Sequence, residues 1–306
     1  MELMKSRITR PRLGYTVTEL LVGIGICTLI AAIALPAIAR ARESARLVQC
    51  KNNLHQIGVA LQSMASSKGV FPTASYVGST YKTSDPYGIH ERLLPALEAE
   101  SALEARINYR GARVPAYLCP NDDEADKATA TTIPHCYRPN TGDGFRASPW
   151  TGFQTSPLVD TRTNDITDGL SNTVAFSERL WTFSDTPDDG SLRLFWWTSQ
   201  RFHGRDEESQ AIDQALNHRT SANPQAVRSD YENYDHMLPP NSPSSYNGPD
   251  SPGVDEAYFL IPASSLHSGV VQSLLADGSC RAIINSIDLQ VWHAIGTRAG
   301  GESILE

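Results

Sequence analysis

Between Leu20 and Ile38 the chain reads LLVGIGICTLIAAIALPAI, nineteen residues without a charge. As a helix this run is about 28 Å long, close to the roughly 30 Å hydrocarbon core of a bilayer. A cleaved secretory signal peptide or a plain signal anchor reads similarly. No clear small-residue cleavage site follows, however, and the chain continues as ARARESARLVQCKNNLHQIGVALQSM. There Leu47, Cys50, Leu54, Ile57, Leu61 and Met64 recur at alternating three- and four-residue steps, an apolar stripe on one helix face. The spacing predicts a single helix from Val17 to about Ser67, about 51 residues or about 76 Å long. Lys68-Gly69, with Pro72 behind it, is the stop signal.

No second run is long and apolar enough to span a bilayer, which excludes a many-spanning protein. A chain of 306 residues, 40% apolar and 20% charged, is neither disordered nor collagen-like, and suits one large domain or two ordinary ones. The net charge is −8, from 26 basic and 34 acidic side chains. Lys5, Arg7, Arg10 and Arg12 all lie in the first fourteen residues with a single acid, Glu2, so the body is more acidic still. Phosphate contacts need clustered Lys and Arg, so nucleic acid is excluded as a partner. Arg40, Arg42, Arg46 and Lys51 match the four basic residues before the span, so loop charge alone does not orient it.

Past the helix, HERLLPALEAESALEARI (His90 to Ile107) has a helical pattern broken at Pro95. VPAYLCP, NTVAFSE and LRLFWWTSQRF read as strands of an antiparallel sheet. In LHSGVVQSLLADGSCRAIINSID, Asp277-Gly278 between two apolar runs predicts a hairpin with a two-residue turn. Ser286 is placed to cap a final helix through about Gly296. Residues 220–256, rich in Pro, Asn, Ser and Asp without periodicity, read as a long surface insertion. The class expected is α+β, a long N-terminal helix packed on an antiparallel sheet head.

Few residues point to chemistry. His267 and Asp277 lie at the two ends of a predicted strand, about 33 Å apart, too far to share a proton or a metal. Asp277 then serves the turn with Gly278, and His267 ties the strand's start to a neighbouring loop. With no CxxC and no HExxH, no zinc site is expected. The acidic runs Asp122-Asp123-Glu124-Asp126 and Asp185 to Gly190 have calcium-like composition but not the EF-hand order, and read as acidic surface loops. Trp150, Trp181, Trp196 and Trp197 suit core packing better than a glycan surface. Neither a phosphate loop nor a G-x-S-x-G elbow is present, so the expectation is a non-enzymatic protein without a cofactor. Cys27 lies in the apolar run. Cys50, Cys119, Cys136 and Cys280, if exported to an oxidising compartment, can be paired as disulfides in three ways.

Glu19 stands at the edge of the span, where a lone carboxylate is costly unless it finds a partner. The run Gly14-Tyr15-Thr16-Val17-Thr18-Glu19-Leu20 resembles the type IV prepilin site, a glycine, an aromatic residue and a glutamate at the fifth mature position. Tyr15 replaces the usual Phe, and Pro36 falls where many type IV pilins carry a helix-kinking proline. The resemblance implies a leader, 1–14, removed after Gly14 by a prepilin peptidase, with methylation at Tyr15. It also implies that Glu19 pairs with a neighbouring subunit's terminal amine, and it puts the leader inside and the head outside the cytoplasmic membrane.

CKNNLHQIGVAL, LLPALEAESAL, CPNDD, ITDGLSNTVAFSE, His267 followed by nine residues and Asp277-Gly278, and TRAGGE together resemble the DUF1559 family of prepilin-like proteins. Cys280, Ala282 and His135-Cys136-Tyr137 depart from its pattern. That resemblance implies an anchored architecture with a membrane half at about 17–39 of a helix spanning 15–68, and a head at 69–306. It also implies Cys50–Cys119 as the family bridge, leaving Cys136–Cys280 as an extra one. It carries no established activity. Two functions remain open at this level: a pilin-like structural subunit, or an anchored surface module binding calcium, a glycan or a protein.

Overall fold

The computed structural model describes residues 16–72, 88–99, 113–123, 125, 134–143, 151–154, 160–181, 195–197, 233–247 and 258–302. Gly14 and Tyr15, Trp150, the Asp185–Gly190 run and residues 100–107 of the expected second helix lie outside them. The chain divides into two units, Met1–Ala45 and Arg46–Glu306. This division falls inside helix α1 (Val17–Lys68), not at its end.

The first turn of α1 is closed by a capping box of the T-x-x-E type. The Thr16 hydroxyl accepts from the Glu19 amide at 3.2 Å, and Glu19 Oε2 accepts from the Thr16 amide and hydroxyl at 2.9 Å each. Leu20, Leu29 and Ile33 remain more than half exposed, and the helix continues through Pro36. Among the described residues α1 is the one helix with the length and composition of a membrane anchor or a signal sequence. It ends as the sequence predicts: Gly69, at φ +73°, donates to the Ala65 carbonyl at 2.8 Å and turns the chain into β1 (Val70–Phe71).

From Arg46 on, the stripe is real. Cys50, Leu54, Ile57 and Leu61 are buried, with Leu47 and Met64 half-buried at its ends. Their partners come from a four-stranded antiparallel sheet ordered β2 (Tyr137–Pro139), β4 (Val174–Glu178), β8 (Val270–Leu275), β9 (Cys280–Ile284). Strand periodicity divides β8 between two cores. Leu274 joins Phe176 and the α1 stripe, while Val271 and Leu275 join Val174, Tyr234 and Trp292 of the last helix, α3 (Leu289–Gly296). A Cβ on Gly58 would lie 3.2 Å from the Gly278 Cα, so glycines let α1 approach the β8–β9 turn closely. Gln62 also donates to the Ala276 carbonyl there.

Two smaller sheets complete the head: β1 with β3 (Thr161–Arg162), and β5 (Phe195–Trp197), β6 (Ser244–Asn247) and β7 (Tyr258–Leu260) in that order. β5 and β6 run parallel, the one departure from an antiparallel head among the described strands. Residues Ile89–Leu93 form a short helix, α2, and Pro95–Leu97 a 3₁₀ turn that stops at Glu98, φ +55°. Thus Pro95 breaks the pattern as expected.

Four local expectations are corrected. VPAYLCP is not a strand; Pro115–Tyr117 is a 3₁₀ turn started by Pro115, whose missing N–H suits a helical first position. The β8–β9 hairpin closes through three residues, Ala276 to Gly278. The Gly278 amide donates to the Leu275 carbonyl, and the Leu275 amide to the Ser279 carbonyl. Gly278, at φ +89°, fills the left-handed position such three-residue loops need. The cap of α3 is Asp288, which accepts from the Gln290 and Val291 amides, and Ser286 is exposed. Finally, the expected surface insertion is interior in part: Tyr234, His236, Met237 and Leu238 are fully buried. Aperiodic composition concealed three large apolar side chains there.

Candidate functional site

Four segments far apart in the chain converge behind the α1 stripe. Cys50 faces inward from α1, and Asn53, one turn on, donates to the Leu118 carbonyl at 2.8 Å. This bond pins the extended residues after the 3₁₀ turn against the helix and delivers Cys119. The Cys119 carbonyl is fixed in turn by the Asp122 amide at 3.0 Å. Glu178 closes β4, where its register opposite Tyr137 and its carbonyl bond from Ser264 hold the backbone. His267 comes from the loop entering β8, its amide bonded to Ser265 Oγ at 3.2 Å.

The side chains meet closely. Cys50 Sγ lies 2.8 Å from Cys119 Sγ and 3.2 Å from His267 Nε2. Cys119 Sγ is 3.7 Å from both Glu178 Oε1 and His267 Nε2, and those last two atoms are 3.5 Å apart. Both outer atoms have other partners. Glu178 Oε2 accepts from the Gln272 amide at 2.8 Å, and His267 Nδ1 lies 3.3 Å from Asn121 Nδ2. Arg46 donates to Asn121 Oδ1 at 2.9 Å, so the amide nitrogen faces the imidazole and the ring proton sits on Nε2, inside the cluster. The two thiols are perturbed in opposite directions. Their shared hydrogen bond, then burial and Glu178, push Cys50 well above an ordinary thiol. The same bond, helped by His267 and opposed by burial, draws Cys119 below one. Two sulfurs, a carboxylate oxygen and an imidazole nitrogen in a closed site can either join as a disulfide with polar neighbours or hold a cation.

The remaining expected residues fall elsewhere. Glu19 is engaged in the capping box, and Pro36 is within α1. Asp277 sits at the far end of β8 from His267, accepting from the Ser279 amide at 2.8 Å in the turn chemistry foreseen for it. His267 does meet a neighbouring loop, through Asn121, but its other nitrogen belongs to the cluster. The structure does not bring Cys136 and Cys280 together. Cys136 adjoins β2 and Cys280 lies in β9, the opposite edges of the four-stranded sheet. Three strand spacings make about 14 Å, whereas bridged Cα atoms lie within about 7 Å. Cys136 Sγ instead faces Asp122 at 3.6 Å, and Cys280 Sγ the Lys51 carbonyl at 3.7 Å. Asp122 is likewise no surface acid; it is buried and accepts from the Trp181 amide at 2.7 Å.

Sequence reasoning missed Glu178 altogether and gave His267 only half its surroundings. No short spacing joins positions 50, 119, 178 and 267. The available signal was that each residue lies in a different one of the segments CKNNLHQIGVAL, CPNDD, ITDGLSNTVAFSE and the His267 motif. One of these segments also meets a further one. Asp168 of ITDGLSN accepts from the Gly300 and Gly301 amides of TRAGGE at 2.7 and 3.0 Å.

No curated protein and no solved structure matches this chain. A family model does, over residues 39–290, a span containing all four clustered side chains and most of the head. The chain belongs to the family of proteins of unknown function DUF1559.

Proposed function

We propose that this chain is a prepilin-like, single-pass membrane protein with a structural rather than enzymatic role. A prepilin peptidase removes residues 1–14, and the mature chain begins at Tyr15, open to N-methylation. The first half of α1 lies in the cytoplasmic membrane, and the head is displayed outside it, with other pilin-like subunits as partners.

The observation carrying this reading is the single helix Val17–Lys68, apolar and exposed in its first half and built into the head's core in its second. A signal sequence has no need of such continuity, whereas a pilin-like subunit uses one helix as both anchor and core element. The Glu19 carboxylate supports the reading too, since it folds back onto Thr16, one residue from the proposed new terminus. Its charge at the edge of an apolar span invites a cationic partner.

The test is to express the full chain with and without a prepilin peptidase, then read its N-terminus by intact mass and Edman sequencing. A terminus at Tyr15 that depends on the peptidase is expected. Gly14→Ala should keep the leader. Glu19→Ala should still be cut but lose subunit–subunit cross-links in the membrane. Cleavage beyond Ile38, or loss of the leader in Gly14→Ala, overturns the reading.

A further inference from the structure

The four-residue cluster has the composition and spacing of a metal shell. One potential ligand atom from each of Cys50, Cys119, Glu178 and His267 lies within 4.8 Å of the other three. The residues are 0%, 6%, 2% and 2% exposed. A tetrahedral zinc ion with bonds of about 2.3 Å to sulfur and about 2.0 Å to nitrogen and oxygen needs sulfur-to-nitrogen and sulfur-to-oxygen edges of about 3.5 Å, and a nitrogen-to-oxygen edge of about 3.3 Å. The edges found are 3.2 and 3.7 Å for sulfur to nitrogen, 3.7 Å for sulfur to oxygen and 3.5 Å for nitrogen to oxygen. Of these five edges the 2.8 Å sulfur–sulfur one must open, to about 3.8 Å, and the sixth, Cys50 to Glu178, lies within 4.8 Å.

The surroundings fit as well. Gln272 and Asn121 occupy the outer atoms of Glu178 and His267, which leaves one atom of each to point inward. Such outer partners orient ligands in metal sites. A buried carboxylate beside two sulfurs is also a site for positive charge, and a dication supplies it without ordered water.

We infer that Cys50, Cys119, Glu178 and His267 form a closed, structural Zn²⁺ site joining α1 to the end of β4 and to two loops of the head. Binding releases the two thiol protons. The imidazole remains neutral, its proton passing from Nε2 to Nδ1, where the Asn121 amide turns over to accept it through Oδ1; the exposed Arg46 guanidinium gives up its bond to that oxygen and turns to water. No electron is transferred. The rival chemistry, a Cys50–Cys119 disulfide, gives up two protons and two electrons to an oxidant and removes both thiolates. The site does not depend on the membrane reading above, because every ligand belongs to the unit Arg46–Glu306.

The experiment uses the full chain purified in detergent without chelator. Its metals are measured by plasma mass spectrometry, and its thiols by alkylation under denaturing, non-reducing conditions followed by peptide mass mapping. One zinc per chain is expected, with Cys50 and Cys119 both alkylated. Cys27→Ser, Cys136→Ser and Cys280→Ser, combined, should keep the zinc, and Cys50→Ser or His267→Ala should lose it. Asn121→Ala should weaken zinc about 10- to 100-fold in chelator competition. Because ligand variants can fail to fold, the wild-type chain is also stripped, reduced and titrated with Co²⁺. A saturable thiolate-to-cobalt charge-transfer band with tetrahedral ligand-field bands supports the site, including where purification has removed the zinc. A Cys50–Cys119 disulfide in the zinc-free purified chain, or no such band from the reduced chain, overturns it.

Discussion

His236 and Asp235 are adjacent, both buried, and respond to acid in opposite senses. The His236 ring stacks on Trp292 at 3.7 Å between centroids, and its Nδ1 lies 2.8 Å from the Trp292 carbonyl. A carbonyl only accepts, so Nδ1 carries the proton and Nε2 accepts from the Tyr234 hydroxyl at 2.9 Å. Burial holds the ring neutral, its pKa lowered from 6.5 to about 3, with His293 nearby also disfavouring charge. Burial likewise raises Asp235 from 3.8 to about 7, against the Ile261 and Met237 amides and the charge of Arg179. Stability tied to His236 is present above pH 6.5 and drains away as pH falls toward 3, because the unfolded chain binds the proton first. Stability tied to Asp235 is present below pH 3.8 and drains away as pH rises through 7. The two slopes oppose each other between about pH 4 and 6.5. His236→Phe, which keeps the stack, should be less stable than wild type at pH 7. That deficit should shrink by about 3 kcal/mol on going to pH 4, at about 1.4 kcal/mol per pH unit. Urea unfolding of both proteins across this range checks it, and parallel curves would show that His236 does not titrate with unfolding.

At the scale of the element, helix α3 separates two possible caps. Its Asp288 carboxylate serves the Gln290 and Val291 amides at 2.9 and 3.2 Å. Asp288→Ala should cost about 1 kcal/mol, while the exposed Ser286→Ala should stay within about 0.5 kcal/mol of wild type. Thermal melts of the two variants decide the matter, and equal losses would discredit the assignment. This example also marks what a sequence discloses. Periodicity made α1 legible to within a residue of its end, because the 3.6-residue repeat and Gly69 both act locally. NTVAFSE was legible as β4 because a short apolar run bounded by turn residues is also a local signal. Loop closure was half legible: Gly278 announced a positive φ, but whether two or three residues close the hairpin depends on register across β8 and β9. VPAYLCP misled because apolar residues around a proline suit a 3₁₀ turn as well as a strand. The Cys50–Cys119–Glu178–His267 cluster lay beyond any local signal, since only tertiary packing brings its four segments together.

For the molecule as a whole, the division at Ala45/Arg46 has a consequence for where the head begins. A boundary at residue 69, drawn where the helix stops, treats α1 as a stalk attached to a finished domain. Yet Cys50, Leu54, Ile57, Ala60, Leu61 and Ala65 belong to the larger of the two apolar clusters, alongside Phe176 and Leu274. Leu54, Ile57 and Leu61 alone are each worth about 1.5–3 kcal/mol of burial, against a total domain stability of about 5–15 kcal/mol. Removing the helix also strips the cover from Phe176 and Leu274, and takes away the Asn53 bond to Leu118 and the Gln62 bond to Ala276. A chain beginning at Arg46 should therefore keep the cooperative melt and near-ultraviolet circular dichroism of the full-length protein. A chain beginning at Gly69 should show neither and should bind hydrophobic dyes. If the shorter chain melted cooperatively near the temperature of the longer one, α1 would be a stalk after all. The more central role follows from the packing: residues 46–68 of the helix that begins with the apolar run supply one side of the head's core.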